Sequence, residues 1–417
     1  MILSLVVVFI VGYLIITLED FLKFNKTATA LITGVLCWAI YAVGHSGEVT
    51  TELGHHLVGI AEILFFLLGA MTIVELIDAH DGFSIITDRI TTTNPRTLLW
   101  IVAFITFFLS AVLDNLTAAI VMVSLLRKLV SDLSLRKILA AVIIIAANAG
   151  GAWSPIGDVT TTMLWIGGQI TSMSIVTKIF LPSLASLIVP LLFLQFRAEF
   201  KQPIQAIPKE IQSHKYQHIM LWVGTGGFLF VPIFKTITHL PPYMGMMLVL
   251  GLIWATSELI HKDKDEEERQ PFTAAYALSR IDSSSILFFL GILLAISSLE
   301  ATHLLQNLAV WLNDTVGNID VIVALIGLAS AVVDNVPLVA ASMGMYDLTL
   351  YPTDNSLWLF LAYCAGTGGS ILIIGSAAGV AVMGMEKVGF GWYFKKISGL
   401  ALLGYLSGIA VYLLLRQ

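Results

Sequence analysis

Apolar runs of about twenty residues recur from one end of this 417-residue chain to the other. In a helix, roughly twenty apolar residues cross a hydrocarbon core of about 30 Å. Hydrophobic residues make up 57% of the chain and charged residues only 12%, against about 25% charged residues in a soluble domain. The sequence therefore predicts an all-α polytopic membrane protein. It excludes a soluble enzyme, a disordered chain and a nucleic-acid binder.

Ten segments are predicted to cross the bilayer. They are 2–18, 27–43, 57–77, 138–170, 174–196, 217–236, 243–260, 284–301, 356–385 and 397–415. The first has no basic leader and no small-residue cleavage site, so we interpret it as a retained helix rather than a signal peptide. Because no transit peptide precedes it, we expect a bacterial inner membrane.

Two further apolar stretches, 97–130 and 319–345, each carry an Asp-Asn pair near the middle, beginning at Asp114 and at Asp334. A charge at the centre of a lipid-facing helix costs about 2.5–3.5 kcal/mol on insertion scales. Irregular backbone at membrane depth occurs only where protein or a water-filled cavity surrounds it. We therefore predict two re-entrant hairpins, each of which enters and leaves the membrane on the same side.

The distribution of Lys and Arg supports this topology. With ten crossings, two hairpins and the N-terminus outside, nineteen of the 22 Lys and Arg fall on the cytoplasmic side, and only Lys178, Lys235 and Arg416 fall outside. Such a bias is what the positive-inside rule requires. Both termini are thus predicted to be periplasmic.

The chain contains an internal repeat. SAVLDN at 110–115 and SAVVDN at 330–335 are identical at five of six positions. NAGGAWSPIGD at 148–158 aligns with GTGGSILIIGS at 366–376, and LGAMTIVELIDA aligns with LGILLAISSLEA, all at offsets of 218 to 222. Three landmarks in one order at nearly one offset indicate a duplication.

The repeat divides the chain into residues 1–197, a cytoplasmic linker at 198–214 and residues 215–417. Each half has five crossings and one hairpin, and this odd number of crossings inverts the second copy in the membrane. The interrupted helices are 138–170 and 356–385. Inverted repeats whose interrupted helices meet at the midplane are the architecture of secondary transporters.

The motifs SAVLDNLT and SAVVDNVP, with NAGGAWSPIGDVTT and GTGGSILIIGSAAG, resemble those of the NhaD-type sodium/proton antiporters of the ion transporter superfamily. The resemblance covers nearly the whole chain. It implies efflux of Na+ or Li+ in exchange for H+ by elevator-like alternating access, and a homodimer with a moving transport domain. No cofactor and no enzymatic activity are expected.

The hairpin tips and the interrupted helices carry side chains with oxygen atoms, which are the ligands that hard cations prefer. The predicted cation- and proton-binding residues are Asp114, Asn115, Thr117, Asn148, Asp158, Thr160, Thr161, Asp334, Asn335, Ser370 and Ser376. Residues that prevent a continuous helix and free backbone carbonyls are predicted to be Gly150, Gly151, Pro155, Gly157, Gly366, Gly368 and Gly369.

Antiport requires one site that holds either Na+ or H+ but not both. Burial and mutual repulsion both favour the protonated form of neighbouring carboxylates, and Na+ can then displace the proton. Asp114 and Asp158 are the leading pair for this competition, with Asp334 next; the predicted Na+ ligands are Asp114, Asp158, Asn115 and Asn335. Because Asp158 aligns with Ser376, we expect one asymmetric site rather than two.

Other interpretations remain open for these residues. The three aspartates could simply cap helices, Thr160 and Thr161 could bond the backbone, and the two serines could be packing residues. Glu62 could lie on a proton path or at the interface.

Other functions also remain open. A Na+-coupled anion or dicarboxylate carrier and an arsenite-type permease are alternatives of the same superfamily, but an Asp at each hairpin tip would repel an anion. An intramembrane aspartyl protease is disfavoured because its GxGD and YD settings are absent and it gives no reason for the repeat.

Overall fold

The computed structural model describes residues 1–22, 24–45, 47, 49–87, 90, 92–200, 204 and 216–416. Of the predicted linker, only 198–200 and 204 belong to these ranges, and the rest lies outside the described residues. Within them, all regular secondary structure is helical. We number the helices of eight or more residues.

The first half of the chain contains eight such helices. They are α1 (Ile2–Thr17), α2 (Lys26–Gly44), α3 (Val49–Ala79), α4 (Pro95–Val112), α5 (Asn115–Leu129), α6 (Leu133–Ala152), α7 (Val159–Ile166) and α8 (Ser172–Leu194).

The second half contains nine. They are α9 (Gln217–Thr238), α10 (Pro242–Ile260), α11 (Ser283–Ala301), α12 (Leu304–Val316), α13 (Ile319–Ala329), α14 (Asn335–Met345), α15 (Ser356–Gly368), α16 (Ala377–Glu386) and α17 (Phe390–Leu415). A π-helical turn at Phe394–Ser398 lies within α17.

Nine of the described helices are long and apolar enough to cross a membrane, and α12 with α13, bent by 114°, pass the same test as a pair. The chain is therefore a multi-pass membrane protein. The sequence did not predict α12, because its polar face, which includes Gln306 and Asp314, lowers its hydropathy. The predicted span 57–77 is part of the longer α3.

The helices break at the two Asp-Asn pairs and at the two Gly-containing motifs of the sequence. Leu113 and Asp114 separate α4 from α5, and residues 330–334 separate α13 from α14. Residues 153–158 separate α6 from α7, and 369–376 separate α15 from α16.

Helix packing in the second half follows that in the first. Helix α2 packs against α11, and their counterparts α10 and α3 pack against each other. Helix α4 packs on α6 as α13 packs on α15, and α5 contacts α16 as α14 contacts α7. The most buried helices are α6 and α15, with every residue from Leu357 to Gly368 buried in the latter. The ends of these two helices therefore place the breaks in the protein interior.

Candidate functional site

Four short helices begin at the breaks, and a side chain caps each one. The N-cap residues of α5, α7, α14 and α16 are Asp114, Asp158, Asp334 and Ser376. The first N–H groups of a helix have no partner within it, and the N-terminal end of the helix dipole attracts negative charge. Three of the four helix starts are therefore satisfied by the chain's own aspartates.

Asp158 lies at the centre of the site and is only 1% exposed. Its Oδ1 accepts hydrogen bonds from the backbone N–H and the hydroxyl of Thr160, at 2.8 and 2.7 Å. Its Oδ2 accepts one from Asn115 Nδ2 at 2.6 Å and one from Asn335 Nδ2 at 3.3 Å. The carboxylate of Asp158 thus accepts a hydrogen bond from the asparagine of each of the two Asp-Asn pairs.

Asn148, in α6, links this carboxylate to the second interrupted helix. Its Nδ2 donates to the hydroxyls of Ser370 and Ser376 at 3.0 and 2.9 Å, and its Oδ1 accepts from Asn115 Nδ2 at 3.1 Å. Asn148 is fully buried. Together with the bonds to Asp158, these bonds join seven of the predicted residues in one network, four from the first half of the chain and three from the second.

The other two aspartates are half-buried. Asp114 accepts from the backbone N–H and the hydroxyl of Thr117 at 2.8 and 2.6 Å, so its carboxylate is turned towards its own helix. Asp334 accepts from the N–H of Val336 at 3.2 Å. It also lines a cavity of about 90 Å³ together with Tyr13 and Ser376. These two groups flank Asp158 but do not bond to it.

Thr161 is not part of the polar network around the carboxylate. Its hydroxyl donates to the carbonyl of Asp158 at 2.9 Å, one turn back in the same helix. A hydroxyl bonded in this way is occupied by the backbone of its own helix start, whose carbonyl also accepts the N–H of Thr162. Thr160 differs, because its hydroxyl bonds the Asp158 carboxylate directly.

Comparison with known proteins gives the family. The family model described as "Citrate transporter" matches residues 7–366. "Sodium/proton antiporter 1" of Arabidopsis thaliana is 52% identical over 98% of this chain and 72% of its own length, and "Sodium/proton antiporter 2" is 50% identical over 97% of both. "Na(+)/H(+) antiporter NhaD" of Vibrio cholerae is 32% identical over 98% of this chain and 91% of its own length. This chain belongs to the NhaD-type sodium/proton antiporters. Membership confirms the resemblance seen in the motifs and identifies a transporter, not an enzyme.

Four of the glycines predicted to interrupt helices in this antiporter lie inside them instead, because α6 continues to Ala152 and α15 to Gly368. A Cβ on Gly150 would overlap the carbonyl of Phe107, and one on Gly368 would overlap that of Gly327. Gly150, Gly366 and Gly368 therefore belong to close helix packing, whereas Gly151 packs against Gly157 in the break that follows α6. Pro155 and Gly157 lie in the break itself, and Gly369 caps α15.

Three charged or titratable clusters of the antiporter were not predicted. Glu386, 3% exposed, accepts from Arg127 Nε at 2.6 Å and Arg136 Nε at 2.7 Å. His80 and His261 form a buried pair with 3.1 Å between their Nε2 atoms. Lys235 donates to the carbonyl of Trp165. Glu386 and Lys235 could have been recognised from the sequence, because each is a single charge in or at the end of an apolar segment. The histidine pair could not, because its members are 181 residues apart.

Proposed function

We propose that this protein exchanges Na+ or Li+ for H+ across a membrane, with the two ions competing for the carboxylate of Asp158. One observation carries the proposal: this carboxylate is almost fully buried and accepts hydrogen bonds from amides of both halves of the chain. The names of the relatives, two plant sodium/proton antiporters and the bacterial NhaD proteins, support the same exchange.

The chemistry of the network suits this competition. A proton on Asp158 would neutralise a charge that four donor groups now stabilise. A Na+ ion would need oxygen atoms, and an amide turned about its terminal torsion presents oxygen in place of nitrogen. The Thr160 hydroxyl is already in contact with the carboxylate. The same side chains can therefore donate hydrogen bonds to the ionised carboxylate or provide oxygen ligands to a cation bound to it. The carboxylate of Asp158 cannot hold a proton and Na+ at the same time.

We further propose that the two halves are inverted repeats, that 97–130 and 319–345 are re-entrant, and that the breaks meet at the membrane midplane. The matching packing of the halves supports this. So do two matching bonds, from Ser110 Oγ to the carbonyl of Ala147 and from Ser330 Oγ to that of Ala365. Elevator-like alternating access and a homodimer are proposed on the resemblance, and periplasmic termini on the Lys and Arg distribution. A bacterial inner membrane is proposed because the sequence shows no transit peptide, and the bacterial relative named NhaD supports it.

A Na+-coupled anion carrier is the second candidate, because the matching family model is that of citrate transporters. Discontinuous helices can direct their N-termini at anionic substrates. In this chain, however, Asp114, Asp158 and Asp334 occupy three of the four N-termini. Their carboxylates would repel a dicarboxylate where a cation is attracted, and this favours antiport.

The deciding experiment uses everted vesicles that contain a pH-sensitive fluorescent dye and an imposed proton gradient. We expect Na+ or Li+ to dequench the dye, and we expect Asp158→Asn to abolish dequenching. Asp132→Asn is the matched control, because Asp132 also caps a helix but is exposed. Unchanged dequenching in Asp158→Asn would refute the competition, whereas dicarboxylate-dependent Na+ uptake without proton movement would support the anion carrier.

A further inference from the structure

Helix α7 is held at its far end by a lysine from another part of the protein. Lys235 is the only Asp, Glu, Lys or Arg in α9, an otherwise apolar helix with membrane-spanning length. Its side chain is half-buried, and its Nζ lies 2.8 Å from the carbonyl oxygen of Trp165 and 4.7 Å from the centre of the Trp165 ring. Lys235 lies in the last turn of α9, at the end that the predicted topology places outside the membrane.

The contact lies at the opposite end of α7 from Asp158. This helix has only eight residues, which is about 12 Å at 1.5 Å per residue. Asp158 caps its start and Trp165, which is 1% exposed, is in its last turn. A cation at the end of a helix stabilises the exposed carbonyls there. One short helix therefore joins Trp165 to Asp158.

The lysine also has an acidic neighbour, which lies in α3. Glu62, in α3, is the acidic group that acts electrostatically on Lys235. Glu62 lines a cavity of about 210 Å³ that Met163 and Ile166 of α7 also line. Lys235 thus lies where α3 and α9 face the end of the helix that carries the site.

We propose that Lys235 is a positioning residue, which fixes α7 and thereby the carboxylate of Asp158 through its bond to the Trp165 carbonyl. This inference rests on the proposed competition of Na+ and H+ at Asp158. Glu62 supports the same arrangement because it acts electrostatically on the ammonium group. The bond joins α7 to α9, which is not one of the four helices that begin at the breaks. It would therefore break if α7 moved relative to α9.

The test compares Lys235→Met with Lys235→Arg in everted vesicles. Because a hydrogen bond from a charged donor is lost, we expect Lys235→Met to raise the apparent KM for Na+ about tenfold with a smaller change in maximal rate. We also expect the pH of half-maximal activity to rise by about half a unit or more, since the positive charge at the other end of α7 from the carboxylate is removed. Lys235→Arg keeps the charge and the donors and should restore both values to within about threefold and 0.2 pH units of wild type.

The matched control is Lys178→Met, which removes an exposed lysine from another apolar helix, α8. If Lys235→Met behaves like Lys178→Met while Asp158→Asn is inactive, the positioning role is refuted and the proposed function stands. If Asp158→Asn still exchanges Na+ for H+, the proposed function itself fails. Should Lys235→Met not accumulate in the membrane, Lys235→Gln, which keeps a donor but no charge, is expected to show the pH shift; no shift would overturn the proposal.

Discussion

Nδ2 of Asn335 lies 3.3 Å from Oδ2 of Asp158, so an amide from the second half of the chain meets the carboxylate of the first. Asn115, at the corresponding position of the first half, meets the same oxygen at 2.6 Å. Equivalent asparagines of the two halves therefore donate to the same carboxylate oxygen, but the bond from Asn115 is shorter than the bond from Asn335.

The difference in distance predicts a difference in effect. Both Asn115→Ala and Asn335→Ala remove a donor from a buried carboxylate, and hydrogen bonds to charged groups contribute about 1.5–3 kcal/mol. We expect Asn115→Ala to raise the apparent KM for Na+ more than tenfold and Asn335→Ala to raise it less, as measured by dye dequenching in everted vesicles. Asn94→Ala, which removes an exposed cap amide from α4, is the control. Equal effects of all three substitutions would contradict the prediction.

Glu386 should be important for stability. Its buried carboxylate accepts from two arginines of the other half of the chain, and removal of one partner of a buried ion pair costs about 3–5 kcal/mol. Because Arg127 is partly exposed, we expect Glu386→Gln to cost about 2–3 kcal/mol, seen as a lower unfolding temperature of the detergent-purified protein. Glu258→Gln breaks the exposed pair with Arg269, 3.6 Å apart, and should cost less than about 1 kcal/mol. A Glu386→Gln protein as stable as Glu258→Gln would count against this assignment.

The packed glycines should tolerate no side chain. We expect Gly150→Ala and Gly368→Ala to destabilise the protein by about 1–3 kcal/mol each, because the added methyl group would overlap a backbone carbonyl of the neighbouring helix. Gly226→Ala, in α9, meets open space and should be neutral or slightly stabilising. Thermal unfolding in detergent measures all three. The packing explanation fails if the three substitutions have the same effect.

The buried histidine pair predicts a pH-dependent stability. Burial lowers the pKa of His80, and it lowers the pKa of His261 to about 4. Phe272 packs against both rings, and Tyr216 packs against His261. The positive charge of Lys264 lowers both values further, while Asp81 and Glu258 oppose it.

The sign follows from these directions. Well above pH 6.5, the ordinary pKa of about 6.5 for a released ring leaves both rings neutral whether packed or released, so the contact is fully stable. Below that pH the released rings take up protons and the packed rings do not, so the stability of the packed state falls as the pH drops towards 4. We expect the unfolding temperature to fall by several degrees between pH 7 and pH 5, and His261→Phe to reduce this dependence. His55→Gln changes an exposed histidine and should leave the dependence as in wild type; a pH dependence in His261→Phe equal to that of wild type would contradict the assignment.

The sequence alone determined the class of protein and the positions of its breaks. Apolar runs and helix-breaking pairs are local properties, so they can be recognised without knowledge of neighbours. Asp114, Asp158 and Asp334 were identified in this way, because a charged residue within an apolar membrane segment is energetically costly and is usually functional. The amphipathic helix α12 was not predicted, because the residues of its polar face lower the mean hydropathy of the segment.

Only the tertiary structure decided which of these groups meet. The amide of Asn335 reaches Asp158 across 177 residues of chain, Asn148 reaches Ser376 across 228, and Arg127 reaches Glu386 across 259. The same holds for the placement of the Thr161 hydroxyl on its own backbone, of Gly150 against Phe107, and of Lys235 on Trp165. Such contacts depend on the rotation and depth of each helix relative to its neighbours. The rotation and depth of each helix are set by the packing of the whole bundle, so they cannot be predicted from a local pattern of residues.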